Sequence, residues 1–78
     1  MAKRRIPEKL ARKLLTIRLF KQMTQAEVLR FVYPEIDQNH RGVISQFEKG
    51  RNQPPLIVLQ RYAELAGIEL EKLSDDSQ

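Results

Sequence analysis

The chain has 78 residues, with 14 Lys and Arg against 10 Asp and Glu, one histidine and no cysteine. This length predicts one small domain, and the absence of cysteine excludes disulfide bonds and a thiolate zinc site. No apolar run reaches the ~18 residues of a membrane span, and the basic start MAKRR lacks the apolar segment of a secretory signal, so we expect a cytoplasmic protein.

The formal charge of +4 is unevenly distributed along the chain. Residues 1–13 contain six bases and one acid, whereas residues 69–78 contain four acids and one base. A basic surface of this kind favours a polyanionic partner such as a nucleic acid. The alternative is a solvated basic surface that only improves solubility.

The first predicted segment, residues 1–7, is a basic arm. Its cationic side chains are Lys3, Arg4 and Arg5. Two interpretations remain open for them: contact with a DNA backbone or minor groove, or an arm without a partner.

The first predicted helix starts at Glu8 and ends near Lys21. Leu10, Leu14 and Ile17 recur at helical spacing and are expected to face the core. A neighbouring stripe also carries apolar side chains. Either it widens the buried face, which we favour, or it contacts a second subunit; its residues are Leu15, Leu19 and Phe20.

Thr24-Gln25-Ala26-Glu27 has the pattern of a capping box, which predicts the start of a second helix. The apolar side chains of this helix are Val28, Leu29 and Val32. Pro34 is expected to end it near Val32 or Tyr33.

After a polar connection over residues 33–38, the stretch NHRGVISQFEKG predicts a third helix between Asn39 and Gly50. Asn39 is a candidate N-cap and Gly50 a candidate left-handed C-cap. Ile44 and Phe47 are spaced to face the core. The opposite face carries no acid, and a short helix of this kind suits a DNA major groove. We interpret residues 40–49 as a recognition helix whose outer residues are Arg41, Gly42, Ser45, Gln46 and Lys49.

The remaining sequence predicts two more helices after a loop over residues 51–55. The fourth helix runs from Leu56 to Ala66, ends at Gly67, and is expected to bury Leu56, Leu59, Ala63 and Ala66, with Ile68 packing back. Glu69 to Leu73 forms a fifth helix, before an acidic tail over residues 74–78. The predicted class is therefore all-α, with five short helices in a domain spanning residues 8–73.

The sequence from about Leu10 to Leu73 resembles the Cro and lambda-repressor-like family of helix-turn-helix regulators, also called xenobiotic-response-element-type regulators. The order of the matching residues agrees with the helix prediction. They are Arg18, Met23, Thr24, Gln25, Ala26, Glu27, Ile44, Ser45, Glu48, Lys49, Gly50, Pro54, Leu59, Ala63, Gly67, Ile68 and Leu73.

The resemblance implies specific roles for individual residues. Arg18 and Glu48 match a partly buried salt bridge between the first and third helices. Gln25 matches a phosphate-binding glutamine at the start of the second helix. Together with Ser45, which the outer face of the third helix adds, the expected DNA-contacting residues are Gln25, Arg41, Gly42, Ser45, Gln46, Lys49, Arg51 and Asn52.

Two departures from the family pattern are visible. The connection between the second and third helices is longer than the usual compact turn, which bears on the angle at which a recognition helix docks. The apolar side chains on the outer stripe of the first helix stand where the family usually has polar residues. We hypothesise that Leu15, Leu19 and Phe20 cover the long connection through Tyr33 or Ile36, or form a dimer contact.

The resemblance implies a sequence-specific regulator that binds double-stranded DNA, a repressor in our interpretation, and usually a homodimer on inverted repeats. The alternative is a protein-interaction module on the same helical scaffold. We expect neither catalysis nor a cofactor, because no nucleophile, histidine and acid constellation or phosphate-binding glycine loop is present. Asp37 and His40 lack the further ligands of a metal site, so a loop histidine is the better interpretation.

Overall fold

The computed structural model describes residues 8–40 and 42–74, and within these ranges the secondary structure is entirely helical. This confirms the all-α class. The expectations for the arm, for Arg41 and for residues 75–78 lie outside the described residues. The five helices are α1 (Glu8–Phe20), α2 (Gln25–Val32), α3 (Gly42–Glu48), α4 (Leu56–Ala66) and α5 (Leu70–Ser74).

One apolar core joins the five helices. The predicted inner residues of α2 and α3 are all buried, which confirms the helical spacing from which they were predicted. Tyr62 of α4 is the largest fully buried side chain. The core residues are Leu10, Leu14, Val28, Leu29, Val32, Ile44, Phe47, Val58, Leu59, Tyr62, Ala63 and Leu73.

The capping box at the start of α2 is present as predicted. The Thr24 hydroxyl accepts a hydrogen bond from the Glu27 backbone N–H at 3.1 Å, and the Glu27 carboxylate accepts one from the Thr24 N–H at 2.8 Å. Both bonds satisfy donors that the first turn of a helix leaves without partners.

The C-terminal ends of α1, α3 and α4 share one geometry. A residue with positive φ follows each helix: Gln22 at 57°, Gly50 at 74° and Gly67 at 75°. Glycine adopts this left-handed conformation without steric cost, which explains the two ends that the sequence predicted. The end of α1 at Phe20 lies one residue before the predicted position near Lys21, and a glutamine, not a glycine, occupies the left-handed position there.

The outer stripe of α1 and the buried face of α4 differ from the sequence prediction. Leu19 is 58% exposed and Phe20 is 82% exposed, so the prediction of a widened buried face is wrong for these two side chains.

In α4, Leu56 was predicted to be buried but is 62% exposed. Val58 and Tyr62 are buried instead, because neighbouring apolar residues in α4 offered more than one possible inner face and packing selected one of them.

Ile68, predicted to pack back after α4, is 43% exposed. It follows Gly67, whose left-handed backbone turns the chain toward α5. The Ile68 N–H donates to the Ala63 carbonyl at 3.0 Å, which fixes the backbone of the turn while the side chain stays largely outside the core.

Residues 33–40, the described part of the long connection between α2 and α3, are held by contacts with the core and with α4. Tyr33 and Ile36 pack against the core, and the Gln38 side-chain amide donates to the carbonyls of both residues at 3.1 Å. Arg61 of α4 donates from Nη1 to the Val32 carbonyl at 3.3 Å and to Glu35 Oε1 at 2.8 Å. Since Phe20 is almost fully exposed, it does not cover this segment.

The third helix starts later than predicted. The Asp37 carbonyl and carboxylate accept hydrogen bonds from the N–H groups of His40 and Asn39, respectively, each at 3.0 Å. Asn39 therefore belongs to a turn and does not cap α3, which begins at Gly42. The Asp37 carboxylate accepts a hydrogen bond from a nearby backbone N–H group. Such a bond offers the backbone an alternative to the hydrogen bonds of a helix, which opposes an earlier start of α3.

Candidate nucleic-acid interface

The two faces of α3 have opposite character. Ile44 and Phe47 are buried in the core, with 0% and 3% exposure. The opposite face carries Gly42, exposed at the start of the helix, and the half-buried side chains of Ser45 and Gln46. Lys49, exposed directly after the helix, extends this face.

Glu48, the carboxylate on α3, points into the protein. Arg18 Nε donates to Glu48 Oε2 at 2.7 Å, and Arg18 Nη2 donates to Oε1 at 3.2 Å. The two side chains are only 17% and 5% exposed. The salt bridge implied by the family resemblance is thus formed with two parallel hydrogen bonds, which fix orientation as well as distance.

The Arg18 guanidinium also connects to the turn before α2. Its Nη1 donates to the Met23 carbonyl at 3.2 Å, so one side chain of α1 holds both the start of α2 and the end of α3. The hydrogen bond to Glu48 raises the pKa of Arg18 above its ordinary value, more than burial lowers it. The short hydrogen bonds and this shift both favour the charged form of the Arg18 guanidinium.

Gln25 takes part in the same cluster. Its side-chain Nε2 donates to Glu48 Oε1 at 3.2 Å. An amide nitrogen has two N–H donors, so this bond leaves one for another acceptor. The predicted phosphate contact of Gln25 stays a prediction, and the structure adds a role inside the protein that the sequence did not reveal.

Tyr62 completes the cluster from the side of α4. Its ring is fully buried, and its hydroxyl has no hydrogen-bond partner among the described residues. Burial raises the pKa of Tyr62 strongly, and the charge of Glu48 raises it further while Arg18 lowers it. Sequence reasoning did not assign Tyr62 to this cluster, whose other members lie on distant segments of the chain.

The loop after α3 folds back toward the last turn of the helix. The Gly50 N–H donates to the Phe47 carbonyl at 3.2 Å, and the N–H groups of Arg51 and Asn52 both donate to the Gln46 carbonyl, at 2.9 and 3.4 Å. The side chains of Arg51 and Asn52 are exposed here, next to the end of α3.

The predicted contact residues therefore fall into three groups. Gly42, Ser45, Gln46 and Lys49 lie along or directly after α3, and Arg51 and Asn52 lie in the loop that returns to it. Gln25 lies at the start of α2 and bonds to the same carboxylate as Arg18. The predicted contacts of Arg41, Lys3, Arg4 and Arg5 lie outside the described residues.

The residues around the connection do not assemble a metal site. Within residues 8–40 and 42–74, no three His, Asp or Glu side chains are grouped so that they could hold a metal ion. His40 is exposed, and the Asp37 carboxylate accepts a backbone N–H. No described helix is long and apolar enough to cross a membrane.

Comparisons of the chain with protein-family models, with curated proteins and with solved structures found no match. Over residues 8–40 and 42–74 the protein is of the all-helical class. Its third helix has a buried apolar side and an outer side with one hydroxyl, Ser45, and one amide, Gln46, and the exposed Lys49 follows directly after it.

Proposed function

We propose that the protein binds double-stranded DNA in a sequence-specific manner, with α3 in the major groove, and acts as a small transcriptional regulator, a repressor. The observation that supports this most directly is the composition of the outer face of α3. The single carboxylate of α3, Glu48, is buried against Arg18, so the outer side presents the Ser45 hydroxyl and the Gln46 amide, followed by the exposed Lys49. Such a face is complementary to base edges and to phosphate.

The individual contacts follow from side-chain chemistry. Gln46 has the donor and acceptor that match adenine N7 and N6, and Ser45 bonds to either kind of base. Lys49 and Arg51 supply charge for phosphates on the flank of the groove. None of the four side chains has a hydrogen bond to another described residue that would have to be broken first.

We propose that Gln25 contacts the DNA backbone at the other side of the groove. The first turn of α2 leaves backbone N–H groups pointing outward, and these groups favour anions. The bond to Glu48 orients the Gln25 amide at the same point, so its second N–H can reach the same phosphate.

Binding by one such domain covers only one half-site, so we further propose a homodimer on an inverted repeat. Two exposed apolar pairs offer surface for a symmetric contact. Leu56 and Ile57 are 62% and 44% exposed at the start of α4, and Leu19 and Phe20 are exposed at the end of α1.

The experiment that tests the proposal is selection from a pool of randomised duplexes, at two salt concentrations, with the mass of the protein measured in solution. We expect enrichment of a palindromic site and a dimer mass on it. Salt-sensitive binding without enrichment would contradict sequence-specific reading, and absence of binding at low salt would contradict DNA binding altogether.

The second candidate is a protein-interaction module on the same scaffold, and the exposure of Phe20 favours it. A phenylalanine that is 82% exposed is costly to leave in water and is typical of contact surfaces. The Phe20→Lys variant separates the two candidates. If the variant no longer self-associates but its monomer still binds DNA, Phe20 belongs to a dimer contact. If the mass of the protein in solution does not change, Phe20 contacts another protein instead. In both cases we propose binding without catalysis or a cofactor.

A further inference from the structure

The stretch from Asn52 to Gln60 contains no charged residue, although 31% of the chain is charged. It follows Arg51 directly and includes the start of α4. Pro54, Val58 and Leu59 are buried. The side chains of this stretch that remain exposed are those of Asn52, Gln53, Pro55, Leu56, Ile57 and Gln60. We call these six residues the neutral surface.

The centre of the neutral surface is apolar. Leu56 is 62% exposed and Ile57 is 44% exposed, and both lie in the first turn of α4. Gln60 lies four residues after Leu56, so the two are neighbours on the helix. An apolar centre with an uncharged polar surround is the composition expected of a contact between proteins, because charged groups are costly to desolvate there.

Charge distinguishes Leu56 and Ile57 from the other exposed apolar residues. Within residues 8–40 and 42–74, the other large apolar side chains that are exposed each have a charged neighbour one position away in the sequence. They are Leu19, Phe20, Phe31 and Ile68. In α4, the charge nearest to the apolar centre is that of Arg61, four residues after Ile57, and Arg61 is paired with Glu35.

A surface without charge suits contact with a second copy of the same chain. In a contact with two-fold symmetry the same surface lies on both sides, so a charged group near the axis meets its own like charge. The formal charge of +4 also makes two copies repel each other in general. An uncharged apolar surface is where this repulsion is weakest.

We infer that the neutral surface is where the protein self-associates, with Leu56 and Ile57 of one copy packing on the neutral surface of a second copy about a two-fold axis. The inference rests on the homodimer of the proposed function and selects one of its two apolar pairs. The neutral surface starts directly after Arg51, at the end of the loop that returns to α3. The contact therefore brings the C-terminal ends of two α3 helices toward each other in equivalent positions, as an inverted repeat requires.

The first experiment is sedimentation equilibrium of the full chain without DNA, up to about 1 mM because a small contact is weak. We expect a monomer–dimer equilibrium. Leu56→Lys should weaken it at least about tenfold. Phe20→Lys is the matched control, since it makes the same substitution at a side chain that is 82% exposed, and it should leave association unchanged. A wild-type protein that stays monomeric, or equal weakening by both substitutions, would overturn the inference.

A mixture of variants tests the symmetry of the contact and guards against a fold defect. Leu56→Lys and Leu56→Glu each bring like charges together, whereas an equimolar mixture brings opposite charges together. The mixture should associate at least about fivefold more tightly than either variant alone, with a smaller gain at high salt. A mixture of Phe20→Lys and Phe20→Glu should associate as the wild type does. No gain for the Leu56 mixture would overturn a two-fold contact at this surface.

The readouts distinguish failure of this inference from failure of DNA binding. Self-association is measured without DNA, so it stands or falls whether or not the chain binds a duplex. On DNA, Leu56→Lys should keep its affinity for a single half-site and lose at least about tenfold for the palindrome, because only the second depends on the contact between copies. Unchanged affinity for a palindrome that the wild type binds would overturn the inference.

Discussion

The two ends of α3 are held in different ways. At the C-terminal end, Glu48 bonds to Arg18 and Gln25, and the Arg18 and Glu48 side chains are 17% and 5% exposed. The N-terminal end follows residues 33–40, and Glu35 in this segment forms an ion pair with Arg61 of α4. The side chains of Arg61 and Glu35 are 25% and 54% exposed. Both ends thus use an ion pair between an arginine and a glutamate, but the pair at the C-terminal end is much less exposed to water. We infer that the contacts at the C-terminal end fix the orientation of α3.

The largest expected effect tests this orientation. Glu48→Ala leaves the Arg18 guanidinium buried without its carboxylate, and we expect a loss of about 3 kcal/mol in the free energy of unfolding. Chemical denaturation with circular dichroism measures it. Glu35→Ala is the control at the exposed pair and should change stability far less; equal losses for the two would contradict the comparison.

A double variant separates the charge pair from its position. Arg18→Met combined with Glu48→Leu removes both charges, so no buried ion is left without a partner, and much of the lost stability should return. We expect the double variant to bind DNA less well than its stability suggests, because the orientation of α3 is no longer fixed by paired hydrogen bonds.

The next effect concerns base recognition by residues near the C-terminal end of α3. Gln46→Ala should cost about 1–3 kcal/mol at one base pair and relax the preference there. Lys49→Ala should weaken binding to all sequences and lower the salt slope by about one. Quantitative binding to the selected site and to single-base variants distinguishes them, and sequence-independent losses for both would exclude Gln46 as a reader.

A smaller effect tests the N-terminal end of α3. A Cβ added at Gly42 meets no atom within 4 Å, so Gly42→Ala should raise helix stability, by about 0.5–1 kcal/mol. If the backbone at Gly42 approaches DNA closely, the same variant binds DNA more weakly. Thermal unfolding and DNA binding measured on one preparation give both values; unchanged binding would place the DNA away from Gly42.

The smallest effect is the pH dependence of the exposed pair. The hydrogen bond from Arg61 holds the pKa of Glu35 below its usual range. Because the folded-state pKa is depressed, the stabilisation is present above the unfolded pKa of about 4.3 and is lost as the pH falls through the folded value. Glu35→Gln should therefore flatten the acid side of the stability curve slightly and leave neutral pH nearly unchanged. A large loss at neutral pH would show that the connection contributes more than the comparison assigns to it.

Much of the candidate interface could be predicted from local sequence. The capping box specifies its own hydrogen bonds, so the start of α2 follows from Thr24 and Glu27. Gly67 marks the end of α4 because its conformation is strained for other residues. The inner side of α3 follows from the spacing of Ile44 and Phe47, and this spacing also places Ser45 and Gln46 on the outer side.

Other features required contacts between segments far apart in the chain. The sequence contains the apolar residues of α4 but does not rank Leu56 against Val58, because both fit a helical stripe. From the sequence alone, the Gln25 side-chain amide has no partner within the protein. In the folded chain it donates a hydrogen bond to Glu48 at 3.2 Å. The exposure of Leu19 and Phe20 depends on where α1 meets its neighbours.

By itself, then, the sequence determined the helices whose ends carry their own hydrogen-bonding or backbone signals, and the apolar spacing of α2 and α3. The tertiary structure decided where α3 begins, which side of α4 is buried, and how Arg18, Gln25, Glu48 and Tyr62 meet. The physical reason is range: capping and periodicity act within a few residues, whereas desolvation and packing depend on groups that only the folded chain brings together.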